Sequence, residues 1–165
     1  METKRMTRLG LLIALAFIFS YIESLFPFVF PVPGMKVGLA NIVVVTALYE
    51  FGGRDAFCLS MVRILLVSLT FGGGFSPMMY SLGGGILSAA VMIFLKRTGR
   101  FSLIGVSVAG GVCHNIGQVA VAAWILGMAE LAYQLSWLLI GGAVTGILIG
   151  FAGAEAAKRI HRYLQ

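Results

Sequence analysis

Residues 101–127 read FSLIGVSVAGGVCHNIGQVAVAAWILG, and this stretch decides how the chain folds. It contains no Asp, Glu, Lys or Arg, and it is longer than the roughly 20 apolar residues that cross a bilayer as one α-helix. Three polar side chains, His114, Asn115 and Gln118, lie in its middle. Polar groups are costly inside hydrocarbon and usually serve a function there. We therefore expect a membrane span that carries part of a site.

The composition of the whole chain indicates the same environment. Hydrophobic residues make up 59% of the 165 residues, charged residues 11%, and the mean hydropathy is +0.99. This predicts an all-α integral membrane protein, a six-helix bundle that forms a single membrane domain over residues 1–165. The predicted spans are residues 9–26, 37–51, 56–71, 77–95, 101–127 and 131–154. The second and third are short for a full crossing of about 30 Å.

The basic residues predict the orientation of these spans. Lys and Arg are enriched on the cytoplasmic side of membrane proteins, and ten of them fall in alternate connections and at the two ends: Lys4, Arg5, Arg8, Arg54, Lys96, Arg97, Arg100, Lys158, Arg159 and Arg162. Both termini are therefore predicted in the cytoplasm, with the chain in the cytoplasmic membrane. Because the positive charge is dispersed over four edges, the net charge of +6 does not predict a nucleic-acid partner.

Polar side chains concentrate in the outer half of the predicted bundle. On the fifth span, Gly111, His114, Asn115 and Gln118 share one helical face, and we expect Gly111 to leave open space beneath the imidazole. Counted from the cytoplasmic ends, Glu23 and His114 both lie at roughly 20 Å, and Arg63 lies at only roughly 10 Å. An ion pair between Glu23 and Arg63 is therefore not expected.

We predict a cavity open to the outside, covered by residues 27–36 and 71–77. The predicted ligand-binding residues are Glu23, Asn41, Tyr80, His114, Asn115, Gln118 and Trp137. Simpler roles remain open for them. The polar residues of the fifth span could instead form hydrogen bonds between helices, Glu23 could lie in interfacial water, and Tyr80 and Trp137 could be aromatic anchors at the membrane surface. No metal site and no resident cofactor is expected.

Small residues inside the spans predict close helix packing. Gly142, Gly146 and Gly150 recur at four-residue spacing in the last span, which indicates a packing seam. Gly10 and Ala14 form a similar small-residue patch on the first span. This patch either packs inside the bundle or docks a helix of a partner.

Several motifs resemble one bacterial family along nearly the whole chain. They are residues 33–41 (PGMKVGLAN), Arg63 to Leu66 followed by Phe71-Gly72, residues 81–84 (SLGG) and residues 114–118 (HNIGQ). The chain is similar in these motifs to the Gx transporter family, also named heptaprenyl diphosphate synthase component I. Its members resemble the substrate-binding S components of energy-coupling factor (ECF) vitamin transporters.

The resemblance implies a subunit that captures a small vitamin-like or flavin-like ligand from outside. It also implies partners, namely a transmembrane T component, docked at Gly10 and Ala14, and two cytoplasmic ATPases. The chain itself has no phosphate-binding Gly-x-x-x-x-Gly-Lys-Ser/Thr motif, so ATP hydrolysis is expected in a partner.

Two other functions are considered, and an enzyme is not expected. Prenyl transfer needs clustered carboxylates that hold magnesium, whereas the six acidic residues here are scattered. An accessory role in isoprenoid-quinone synthesis remains an alternative. Similar proteins also accompany flavin-based and quinone-based extracellular electron-transfer systems, which would require a bound flavin or quinone near His114.

Overall fold

The computed structural model describes residues 2–25, 38–71 and 74–164 of the chain. These residues form six α-helices: α1 (Glu2–Leu25), α2 (Ala40–Glu50), α3 (Gly53–Thr70), α4 (Phe75–Thr98), α5 (Leu103–Leu126) and α6 (Leu135–Leu164). A 3₁₀ helix at Ala129–Gln134 connects α5 to α6. The predicted all-helical membrane fold with six helices is confirmed.

The four helices α1, α4, α5 and α6 contain segments long and apolar enough to cross a membrane. Helix α2 has only 11 residues and rises about 16 Å. Helix α3 has 18 residues, including the charged Arg54, Asp55 and Arg63. Helices α2 and α3, which correspond to the second and third predicted spans, therefore differ from the other four helices in length.

Several helices extend past the predicted spans at their charged ends. Helix α1 begins at Glu2, and α4 and α6 continue to Thr98 and Leu164. The apolar segment found from hydropathy is about as long as the hydrocarbon core of the bilayer is thick. The helix itself continues beyond it, because its backbone hydrogen bonds also form in the polar region. Gly99, which follows the last residue of α4, has a left-handed φ of 68°. Ser102 caps α5 by accepting a hydrogen bond from the Gly105 amide at 3.1 Å.

Helix α2 lies in the centre of one half of the bundle. It packs against α1, α3 and α6, and most of its side chains are buried, Val43, Val44, Val45 and Leu48 among them. A short helix that is apolar on all sides is stable because protein, rather than lipid, surrounds it.

The other half of the bundle consists of α4, α5 and α6, which pack closely through glycines. A Cβ atom added at Gly146 would lie 2.7 Å from the Val108 Cα, and one added at Gly150 would lie 2.8 Å from the Ile104 Cα. Since only glycine permits this approach, the predicted packing seam on the last span is confirmed.

The charged ends of α1, α3 and α4 lie together at one end of the bundle. Arg5 donates to Asp55 at 3.0 Å from its Nε, and this guanidinium lowers the pKa of the largely buried Asp55 carboxyl, at the start of α3. Lys96 donates to the Tyr49 carbonyl at 3.3 Å and also to the Leu48 carbonyl at the C-terminus of α2. Basic residues from separate connections thus collect at one end, as the predicted topology requires.

Candidate ligand-binding cavity

A cavity of about 140 Å³ lies between the two halves of the bundle. All six helices and Gly38, just before α2, contribute to its wall. The polar side chains that line it are Ser20, Glu23, Asn41, Arg63, Ser68, Ser81, His114, Asn115, Gln118 and Thr145. Five of the seven predicted ligand-binding residues, Glu23, Asn41, His114, Asn115 and Gln118, are therefore brought together around one space.

The short helix α2 explains why the cavity is deep. Asn41 lies nine residues from the C-terminal end of α2, a rise of about 14 Å, and Arg63 lies ten residues from the start of α3, a rise of about 15 Å. The two helices run in opposite directions from a shared turn at Phe51-Gly52. The N-terminus of α2 therefore ends inside the bundle, level with the middle of α3.

Glu23 on α1 stabilises that buried helix end. Its carboxylate Oε1 accepts a hydrogen bond from the Gly38 amide at 2.5 Å. The positive end of a helix dipole favours a carboxylate, and the first turn of α2 has no acidic residue of its own. Gly38 has a φ of 81°, which is a left-handed conformation that glycine adopts readily. One function of Glu23 is therefore to join α1 to α2.

His114 and Gln118 lie on the face of α5 that meets α4. A Cβ atom at Gly84 would lie 2.7 Å from the Gln118 Cγ and 3.1 Å from the His114 Cε1. Because glycine has no side chain, both polar residues can pack against α4 while they line the cavity. Gly84 thus sets their position.

Asn115 has an identified structural contact. Its Nδ2 donates to the Leu138 carbonyl on α6 at 2.5 Å, beside Gly142, whose missing side chain leaves room for the amide group. The hydrogen bond between helices considered from the sequence is therefore present for this residue. Its side chain also lines the cavity.

The expectation for Gly111 is met only in part, because Gly111 lines the cavity together with His114 but also packs on α6. A Cβ atom there would lie 2.5 Å from the Gly142 carbonyl oxygen, so Gly111 permits contact between the backbones of α5 and α6. Helical spacing places residues on one face but does not show which neighbouring helix occupies the space beside each of them.

Arg63 also lines the cavity, although no role there was predicted for it. Its Nε is buried and has no hydrogen-bond partner among the described residues. Within the same part of the chain, no ion pair within 4.0 Å joins it to Glu23. The estimated depth of Arg63 was too small because α3 begins at Gly53, three residues earlier than predicted.

The remaining predicted site residues lie elsewhere. Tyr80 and Trp137 are not among the residues lining the cavity, and the Trp137 side chain is 63% exposed. Gly10 and Ala14 lie on the exposed surface of α1, and a Cβ atom at Gly10 would meet nothing within 4 Å. Of the predicted cover, residues 27–36 and Gly72-Gly73 lie outside the described residues.

Four hydroxyl side chains in the wall were not identified from the sequence. Ser20 donates to the Ala16 carbonyl at 3.0 Å, and Thr145 donates to the Gly141 carbonyl at 2.9 Å. Each uses its proton on its own helix and keeps oxygen lone pairs for another donor. For Ser20 the available signal was its spacing of three from Glu23, which places both on one face of α1.

The chemistry of the wall is that of a binding site. It combines hydroxyl and amide groups with an imidazole, a guanidinium and a carboxylate. Among the described residues, no group of three His, Cys, Asp or Glu side chains is placed to hold a metal ion. The residues present can bind a small polar molecule and exclude lipid from it.

The arrangement of the helices defines a class of membrane protein. A solved structure reported as the structure and mechanism of the S component of a bacterial ECF transporter has a similar fold, with a TM-score of 0.75. The alignment covers 100% of this chain and 99% of that chain at 17% sequence identity. The bundle is therefore a multi-pass membrane protein with the S-component fold.

The family follows from a match in sequence. The family described as heptaprenyl diphosphate synthase component I matches residues 12–156, so the chain belongs to this family. The resemblance recognised from the sequence motifs is confirmed. A comparison with curated protein sequences gives no match.

Proposed function

We propose that this protein is the substrate-binding membrane subunit of an ECF-type transporter, and that it captures a small ligand in the cavity. One observation carries the proposal. A bundle with the S-component fold encloses a cavity lined by polar side chains from every helix, at a depth where such groups are costly.

Within this proposal the cavity opens to the outside of the bacterial membrane. The basic residues near Arg5, Arg54 and Lys96 gather at one end of the bundle, and the positive-inside rule assigns that end, with both termini, to the cytoplasm. The ligand then enters from the end at which α1 finishes and α4 begins. A vitamin-like or flavin-like molecule fits the hydroxyl and amide groups of the wall.

The proposed partners supply the energy for transport. A T component docks on the exposed small-residue patch of α1, at Gly10 and Ala14, and two cytoplasmic ATPases hydrolyse ATP. The chain has no phosphate-binding loop motif, and its acidic residues are not clustered as prenyl transfer requires. The proposed role is therefore binding and not catalysis, despite the enzymatic name of the family.

Replacing His114 and Gln118 together by Leu tests the proposal. We expect this double variant to lose the bound ligand, because Leu provides no hydrogen bonds to replace those that the ligand made to water. Native mass spectrometry of the purified protein measures the bound compound, and denaturation releases it for identification. Gln134→Leu, at an exposed position outside the cavity, is the matched control.

The outcomes separate the candidate functions. A stoichiometric vitamin-like compound that the double variant loses and the control keeps supports capture. The same compound retained by a folded double variant contradicts the assignment of the site. A quinone bound in place of a vitamin-like compound favours the electron-transfer alternative.

A further inference from the structure

We infer that the cavity takes a ligand with an anionic group, a carboxylate or a phosphate, and that Arg63 binds this group. The inference deepens the proposed function and depends on it in one respect, namely that the cavity is the ligand site. It concerns a residue for which the sequence predicted no role in ligand binding.

Arg63 is placed where a charge requires a partner. It lies near the middle of α3, its Nε is buried, and it lines the cavity. A guanidinium remains protonated under all ordinary conditions. A charged group inside a membrane protein normally pairs with an opposite charge or lies in a water-filled cavity that serves a ligand.

Among the described acidic side chains, Glu23 is near enough for its charge to act on Arg63, but it forms no direct ion pair with the guanidinium. Asp55 pairs with Arg5, and Glu155 pairs with Arg159 at 3.0 Å. Glu130 is exposed on the 3₁₀ helix, and Glu50 lies at the opposite end of α2 from Asn41. No ion pair within 4.0 Å involves Arg63 among the described residues.

Glu23 shares the cavity but is already engaged. Its carboxylate accepts the Gly38 amide at the N-terminus of α2, where the helix dipole favours a negative charge. Fixing Glu23 in this way leaves the guanidinium of Arg63 available to the cavity. The charge of Glu23 acts on Arg63 without a direct ion pair, so the guanidinium keeps its N–H donors for a ligand.

The geometry of arginine suits this role. Its planar fork of N–H donors matches the two oxygens of a carboxylate or phosphate. Ser68 on the same helix and Gln118 on α5 also line the cavity and can donate hydrogen bonds to further oxygens. Within the described part of the chain, the cavity wall therefore combines a guanidinium that lacks a direct ion pair with neutral hydrogen-bond donors.

Thermal unfolding of the detergent-purified protein tests the inference, with inorganic phosphate and acetate as probes against chloride at equal ionic strength. A ligand that binds the native state raises the unfolding temperature by mass action. We expect phosphate or acetate to raise it by several degrees for the wild type. Arg63→Gln should abolish this rise, and Arg97→Gln, at an exposed position of α4, should retain it.

Arg63→Lys tests the inference if Arg63→Gln does not fold. Lysine keeps the charge but not the bidentate fork, so we expect the rise to persist with about tenfold more anion required. An anion titration of the Arg63→Lys variant that is identical to that of the wild type would contradict the inference. A rise with phosphate alone assigns a phosphate group, and a rise with acetate alone assigns a carboxylate.

Failure of this inference differs from failure of the proposed function. No anion-specific rise in the wild type, or a rise that Arg63→Gln retains, overturns the role of Arg63. A neutral compound released in native mass spectrometry does the same and leaves ligand capture intact. A second outcome is that the anion-induced rise depends on Arg63 while the double variant of His114 and Gln118 keeps its natural compound. It overturns the roles assigned to His114 and Gln118 and leaves anion binding at Arg63 intact.

Discussion

The carboxylate of Glu23 has two roles in this structure. It lines the cavity and also accepts the Gly38 amide at the N-terminus of α2. The sequence placed Glu23 at the correct depth for a site but could not show this contact, because Gly38 is 15 residues away along the chain. Contacts between a side chain and a distant backbone depend on the packing of whole helices.

Substitution of Glu23 separates its charge from its hydrogen bond. We expect Glu23→Ala to destabilise the bundle by about 1–3 kcal/mol, because the Gly38 amide loses a charged acceptor. Glu23→Gln keeps an oxygen acceptor, so we expect it to cost only about 0.3–1 kcal/mol, the typical contribution of a charge at a helix N-terminus. Unfolding in mixed micelles of SDS and a mild detergent measures both changes.

Glu130→Ala is the control for this prediction, since Glu130 is an exposed acid that is not among the residues lining the cavity. If Glu23→Ala unfolds at the same SDS fraction as the wild type, the carboxylate does not stabilise α2. If Glu23→Gln is as unstable as Glu23→Ala, the charge dominates over the hydrogen bond.

At the scale of the helices, the sequence predicted the length and polarity of each helix but not which helices pack against each other. Periodicity put His114, Asn115 and Gln118 on one face of α5, and all three line the cavity. It did not show which helices pack against that face, so it missed the contact of Gly111 with α6. Depth counted along one helix also failed for Arg63, because α3 begins at Gly53, three residues earlier than predicted.

The contact between α4 and α5 predicts a strong effect at Gly84. A Cβ atom there would lie 2.6 Å from the His114 carbonyl oxygen and 2.7 Å from the Gln118 Cγ. We expect Gly84→Ala to destabilise the protein by about 1–3 kcal/mol, as overpacking does, and to displace the two polar side chains. Unfolding and ligand retention, measured on the same preparation, report the two effects.

Gly105→Ala is a matched substitution in a transmembrane helix, because its Cβ atom would have its nearest neighbour at an ordinary 3.6 Å. We expect it to be neutral or slightly stabilising, since alanine favours helix more than glycine does. Equal stability of the Gly84→Ala and Gly105→Ala variants would contradict the assigned packing of α4 on α5.

At the scale of the molecule, the fold was predictable because a bilayer restricts a chain of this composition to helices. Hydropathy and the charge of the loops predicted six helices, two of them short, and their orientation. The family motifs predicted the S-component resemblance, which the solved structure of similar fold supports. The ligand was not predictable in the same way. Recognition depends on a few polar atoms in the cavity, and their arrangement follows from how six helices meet.

The exposed surface of α1 gives a prediction for the whole assembly. Gly10 and Ala14 are exposed on this helix, and Gly10 has open space around its Cβ position. Small residues allow the backbone of a second helix to approach closely, and bulky ones prevent it. We therefore expect Gly10→Leu with Ala14→Leu to prevent co-purification of a T component and its ATPases, while native mass spectrometry shows ligand retention unchanged.

The comparison variant for this docking prediction carries Ala90→Leu and Ala152→Leu, at exposed positions of α4 and α6. It adds a similar apolar volume to surfaces that are not assigned to a partner, so it should keep the complex. Co-purification that survives in the α1 variant assigns docking to another face of the bundle. Loss of ligand together with loss of the complex would show that the substitutions disturb the fold, because neither position lines the cavity.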